Sequence, residues 1–111
     1  MSSVRNGEFL PMTETSFFIL LALREPMHGY AVMQYVREVS GGRVWIAAGT
    51  MYGALDNLCR QKLISPLDGG SSRRKQYVIS PLGTEVLRRE CERLRMLVEL
   101  CGDVTPERGA I

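Results

Sequence analysis

Long apolar runs are missing from this chain. The longest, Phe17 to Leu23, lies close to charges at Glu14 and Arg24 and falls well short of the roughly 20 residues that a membrane-spanning helix needs. The N-terminus also lacks the basic, then apolar, then small-residue order of a secretory signal. With neither a span nor a leader, the chain is expected in the cytoplasm, with no membrane partner. Cysteine is sparse: Cys59, Cys91 and Cys101 are odd in number and far apart. No Cys-x-x-Cys spacing exists, which argues against a zinc site or a thioredoxin-like pair and suits a reducing compartment. The single histidine, His28, cannot make a metal site alone, so neither a metal nor a cofactor is expected. No nucleophile with a base and an orienting group can be assembled, and no phosphate-binding loop is present, so no enzyme is expected. The carboxylates stand mostly beside arginines on predicted helix faces, where solvated pairing accounts for them.

What remains is a chain of 111 residues, enough for one domain around one modest core. Its apolar share of 45% is ordinary for a folded protein, and its charged share of 23% is too low for a disordered one. The net charge of +2 decides nothing, but its distribution does. From Arg43 to Lys75 the basic residues are Arg43, Arg60, Lys62, Arg73, Arg74 and Lys75 against Asp56 and Asp68, a net +4 in that segment. Such a concentration fits a surface that faces phosphates, or a solvated basic loop.

Residues 1–10 show no period and read as a loose arm. Thr13, just after Pro11, is a candidate N-cap for a first helix that carries the apolar run and ends near Arg24 to Pro26. A second helix is predicted from His28 or Gly29, with Val32, Met33, Val36 and Val39 at helical spacing and the Gly41-Gly42 pair as its stop. Val44 to Ala47 is β-prone. A third helix opens at Gly49-Thr50, turning Met51, Leu55, Leu58 and Cys59 inward and leaving Thr50, Gly53, Asn57 and Arg60 outside. Ile64 to Leu67 and Gln76 to Ile79 read as strands joined by the turn-rich Asp68-Gly69-Gly70-Ser71-Ser72, that is, a hairpin with Arg73, Arg74 and Lys75 beside its tip. Ser80 as N-cap and Pro81 at the first helical position start a last helix of about twenty residues, roughly 30 Å long, and Gly102 is its expected stop.

Helix, helix and hairpin in this order are the layout of a winged helix-turn-helix. The predicted fold is therefore mainly α with a small β-hairpin: a winged helix-turn-helix over residues 11–80, a dimerisation helix over 81–102 and a loose tail over 103–111. In such modules the third helix enters the major groove and the wing reaches phosphates or the minor groove. In the last helix Leu87, Cys91, Leu94, Val98 and Cys101 recur at steps of four and three, an a/d pattern that asks for a partner helix. Pairs Glu85–Arg89 and Arg95–Glu99 flank it at i, i+4. A homodimer built on that seam is expected.

Three stretches, in order, resemble the PadR family of transcriptional regulators. Met27-His28-Gly29-Tyr30 is similar to the start of the family's second helix. Gly49-Thr50-Met51-Tyr52, with Leu55, Leu58 and Leu63-Ile64, is similar to its recognition helix. Arg73-Arg74-Lys75-Gln76-Tyr77 with Pro81-Leu82-Gly83 is similar to its wing and the entry to the final helix. The single last helix resembles the smaller PadR subfamily. Lys62 departs from the pattern where glycine is common, and Met51 where leucine is. The resemblance implies a repressor that holds a palindromic operator in double-stranded DNA as a homodimer, and it permits release by an apolar small-molecule effector. It implies phosphate contacts from Tyr52, Arg73, Arg74 and Lys75, and an approach to base edges by Thr50, Gly53 and Asn57, with asparagine able to pair with adenine. Tyr30 and Tyr77 are read as packed between helices and wing, and Trp45 as core. Two other readings stay open: a winged helix that binds protein and not DNA, and a redox-responsive regulator acting through Cys91 or Cys101.

Overall fold

The computed structural model describes residues 9–67 and 75–104. Among the described residues the main helices are α1 (Glu14–Ala22), α2 (Gly29–Val39), α3 (Ala48–Arg60) and α4 (Pro81–Cys101). Three short strands, β1 (Met27–His28), β2 (Ile64–Leu67) and β3 (Gln76–Ile79), form one antiparallel sheet in the order β1-β3-β2. A 3-10 turn, Gly102–Val104, follows α4. Among the described residues no helix is long and apolar enough to cross a membrane.

Each helix starts and stops for a local reason. The Thr13 hydroxyl accepts the Ser16 N–H at 3.1 Å and so satisfies one of the donors that open α1. Ser80 does the same for α4, accepting from Gly83 N–H, with Pro81 in the first turn where its missing N–H costs nothing. The same Ser80 hydroxyl donates to the Lys62 carbonyl at 2.8 Å, which pins the start of α4 to the end of α3.

The ends of α2 and α3 share one geometry. Gly41 takes φ 65°, its N–H bonds Glu38 O, and Gly42 N–H bonds Arg37 O. After α3 the left-handed position falls on Lys62, also at φ 65°: Lys62 N–H bonds Cys59 O and Leu63 N–H bonds Leu58 O. Both are Schellman closures, which normally use glycine at that position. Lys62 fills it with a β-carbon in place, so the turn into the wing is kept at some cost in backbone strain.

The core is one cluster. Ile19, Leu20 and Leu23 of the α1 region, Val32 and Val36 of α2, and Met51 and Leu55 of α3 are fully enclosed, with Ile64, Val86 and Leu87 closing the far side. Each such side chain contributes about 1.5–3 kcal/mol by leaving water. Gly83 lets α4 approach: a β-carbon there would run into the Leu63 carbonyl oxygen.

Three expectations need correction. Val44 to Ala47 is not a strand: it pairs with none of the described strands, and Val44 N–H is held instead by the Ser40 hydroxyl at 3.0 Å. Phe9 and Leu10 are not loose, since both pack half-buried against the core. The hairpin has a third strand, because Met27 pairs with Tyr77 and His28 with Gln76. That makes β3 central and leaves β2, which carries Pro66, at an edge. Residues 68–72, the expected hairpin turn, lie outside the described residues.

Candidate nucleic-acid interface

The core stripe of α3 fixes what its other side presents. With Met51, Leu55 and Leu58 inside, Thr50, Gly53, Asn57 and Arg60 stand exposed. A β-carbon at Gly53 would meet nothing within 4 Å, so the middle of this face is open backbone that another molecule can approach closely. Tyr52 lies toward the start of α2. Its ring fills the space beside Gly29, while the side chain keeps 47% of its exposure. Asn57 faces the other way, lining a shallow groove with Met12, Thr13, Ser16 and Gln61.

The root of the wing stands beside the same helix. Burial and the nearby Asp56 carboxylate raise the Cys59 thiol above its ordinary range, and the Lys75 ammonium pulls it back. The Tyr77 phenol is raised by burial, with Cys59, Asp56 and Tyr52 adding to it. Through Cys59 and Tyr77, side chains of α3 and of the strand β3 lie within electrostatic reach of one another. Of the expected sites, Lys75 acts on Cys59 and Tyr52 on Tyr77, while Asn57 lines the groove beside Met12 and Thr13. Arg73 and Arg74 lie outside the described residues. Asp56 was not singled out in the sequence, although its place between Gly53 and Arg60 on the outer face was readable from the helical period.

Two aromatic readings are overturned. Tyr30 is 60% exposed and Trp45 71% exposed, so neither is core. Tyr77 is half-buried, as expected of a ring held between wing and helix.

The seam of α4 divides in two. Leu87 lies inside its own chain's core and Cys91 packs against it, so these two residues of the expected a/d seam are covered without a partner. Leu94 is half-buried, and Val98 and Cys101 are exposed. Leu97, Met96, Leu100 and Val104 add to the exposed apolar surface. The stripe that seats the first half of α4 therefore continues on the second half, where among the described residues nothing of its own chain covers it. Leu97 was missed because it falls outside the a/d steps, though it stands three residues from Leu94.

Glu90 was also missed. It is 2% exposed, sits in the apolar stripe three residues after Leu87, and pairs with Arg93 at 2.7 Å. One of its oxygens accepts the Met12 N–H at 3.3 Å. The Arg93 guanidinium holds its carboxyl below the usual range against the opposing effect of burial. Glu85 pairs with Arg88 and with Arg89, the latter as the sequence implies. Arg95 and Glu99 do not pair.

Comparison with known proteins gives one answer. The model of the transcriptional regulator PadR-like family matches residues 19–89. An uncharacterized 37.1 kDa protein in a Streptomyces fradiae transposon is 34% identical over 85 residues, which are 76% of this chain and 24% of that protein, so the chain spans about a quarter of the relative's length. A PadR family transcriptional regulator from Eggerthella lenta superposes with TM-score 0.68 at 26% identity, covering 80% of this chain and 79% of that one. One from Clostridium difficile does so with TM-score 0.70 at 24% identity, covering 83% and 98%. A transcriptional regulator from Clostridium thermocellum gives TM-score 0.72 at 22% identity, covering 83% and 90%.

Proposed function

Because this chain belongs to the PadR-like family of transcriptional regulators, we propose that it is a repressor that grips a palindromic operator as a homodimer. The observation that carries this reading is the outer face of α3. It is small and open at Gly53, polar at Thr50 and Asn57, and carries Tyr52 exposed beside Gly29, with the Lys75 ammonium near enough to act on Cys59 of the same helix. A close-approaching helix with phosphate-binding groups at its margin is what groove insertion requires. Arg60 and Lys75, with Arg73 and Arg74 of the wing, supply the charge that holds the backbone of the duplex. Leu94, Leu97, Val98 and Cys101 supply the seam on which a second copy settles, and two-fold pairing sets two recognition helices against two half-sites.

Footprinting the full chain on the DNA around its own gene, across a salt series, tests the reading. A two-fold symmetric footprint whose affinity falls steeply with salt supports it. Binding that ignores salt, or no protection at any salt, overturns it.

A further inference from the structure

Beside the recognition helix the chain carries a surface that the reading above does not use. Tyr30, Gln34 and Arg37 stand at i, i+4 and i+7 along one face of α2, about 10 Å from end to end. Trp45, in the segment leading into α3, lies across from them. Together with Met33 and Ile46 they line one shallow groove, in which no acidic side chain takes part. The Arg37 guanidinium sits 5.8 Å from the centre of the Trp45 ring. Among the described residues it has no ion pair.

Tryptophan and tyrosine are costly to leave in water, and exposed clusters of them beside a cation mark a contact surface. Continuity says which contact. Tyr30 follows Gly29, the residue over which the Tyr52 ring rests. Trp45 comes three residues before Ala48, the first residue of α3. The groove therefore begins at the margin of the α3 face and runs away from it along α2. Arg43, exposed in the turn between the helices, adds a second cation, while Glu38 stands in the adjoining groove with Gly41 and Gly42.

We propose that Trp45, Tyr30 and Arg37 form a second backbone clamp, which binds the sugar-phosphate chain of the same duplex outside the stretch covered by α3. This rests on the DNA-binding reading. Arg37 meets a phosphate, the Tyr30 hydroxyl bonds a second one, and the Trp45 ring packs on a deoxyribose face. The clamp adds affinity on every sequence and lengthens the site without reading bases.

Trp45 is the chain's single tryptophan, so tryptophan emission reports this groove alone. The full chain is titrated against a fluorescein-labelled 40-base-pair duplex of random sequence at low salt, following DNA anisotropy together with acrylamide quenching of Trp45. The clamp requires quenching to fall in step with the rise in anisotropy. It also requires Arg37→Ala to weaken binding on every duplex and to lower the slope of log affinity against log salt by about 0.9, one phosphate's worth. A rise in anisotropy with Trp45 as accessible as before, or an Arg37→Ala slope equal to wild type, overturns the clamp and leaves the regulator reading intact. Protection of Trp45 that follows protein concentration without DNA overturns it in favour of contact between copies. No rise in anisotropy at any salt sinks the DNA-binding reading itself.

Discussion

The ring of Tyr52 occupies the place where a side chain at position 29 would stand: a β-carbon on Gly29 would come 2.7–2.9 Å from three of its outer atoms. The first residue of α2 is thus bare so that Tyr52 of α3 can lie across it. A substitution there collides with the far end of an exposed, movable side chain and not with backbone.

Gly29→Ala should accordingly leave folding almost unchanged, since alanine also favours the helix by about 0.5–1 kcal/mol over glycine. The cost should fall on DNA affinity, because the phenol is pushed from its seat. Fluorescence anisotropy on Gly29→Ala, Tyr52→Ala and the double variant decides: the second substitution should add little to the first. Fully additive losses would mean that the two residues act separately.

Gly83→Ala meets a different neighbour, the Leu63 carbonyl oxygen, which belongs to the backbone and cannot swing aside. Forcing α4 off the end of α3 should cost about 1–3 kcal/mol, the usual penalty of overpacking. Urea denaturation measures it. An unchanged midpoint would disprove the close approach.

Lys62→Gly should stabilise the protein. The left-handed conformation costs a residue with a β-carbon about 1–2 kcal/mol, of which glycine returns part to the entropy of the unfolded chain. A net gain of about 1 kcal/mol should raise Tm by roughly 4–8 °C in a domain of this size. A lower Tm would mean that the lysine side chain stabilises the turn by more than its strain.

Glu90 should give the protein an acid-sensitive step. Its carboxyl is held below the ordinary glutamate value of 4.5 in the folded chain. Stability from this group is therefore present at neutral pH, begins to fade below about pH 4.5 and is lost once pH passes beneath the lowered value. Glu90→Ala should cost about 1–3 kcal/mol at pH 7, from charge-assisted bonds lost by Arg93 and the Met12 N–H. Thermal melts from pH 3 to 7 should show the two proteins converging toward the acid end. Parallel curves would rule the carboxylate out as the source.

Leu97→Glu tests the proposed pairing. The side chain is substantially exposed in a single chain, so the variant should fold. A glutamate buried unpaired against a second copy costs several kcal/mol, and sedimentation should find monomers with weakened operator binding. A wild-type dimer would move the interface off this half of α4.

The parts of this fold that sequence disclosed are those with a local cause. Caps at Thr13 and Ser80, the strand bounds at Ile64–Leu67 and Gln76–Ile79, and the inward stripe of α3 all follow from period and capping within a few residues. What stayed hidden depends on a distant neighbour. Two residues, Met27 and His28, show no strand period and become one only because β3 lies alongside. Trp45 reads as core because large aromatics usually are, yet Ile46 is the residue that turns inward. Glu90 reads as surface because charges usually are, and only the arrival of Met12 and Arg93 makes its burial tolerable.

The small sheet has two outer edges, and both are poor templates. On one side β1 offers only two residues. On the other, β2 carries Pro66, which has no N–H to donate to a newcomer. An extended segment from another chain finds only a short or interrupted ladder on either flank. The described part of the sheet can thus keep both edges at the surface without seeding strand-by-strand aggregation.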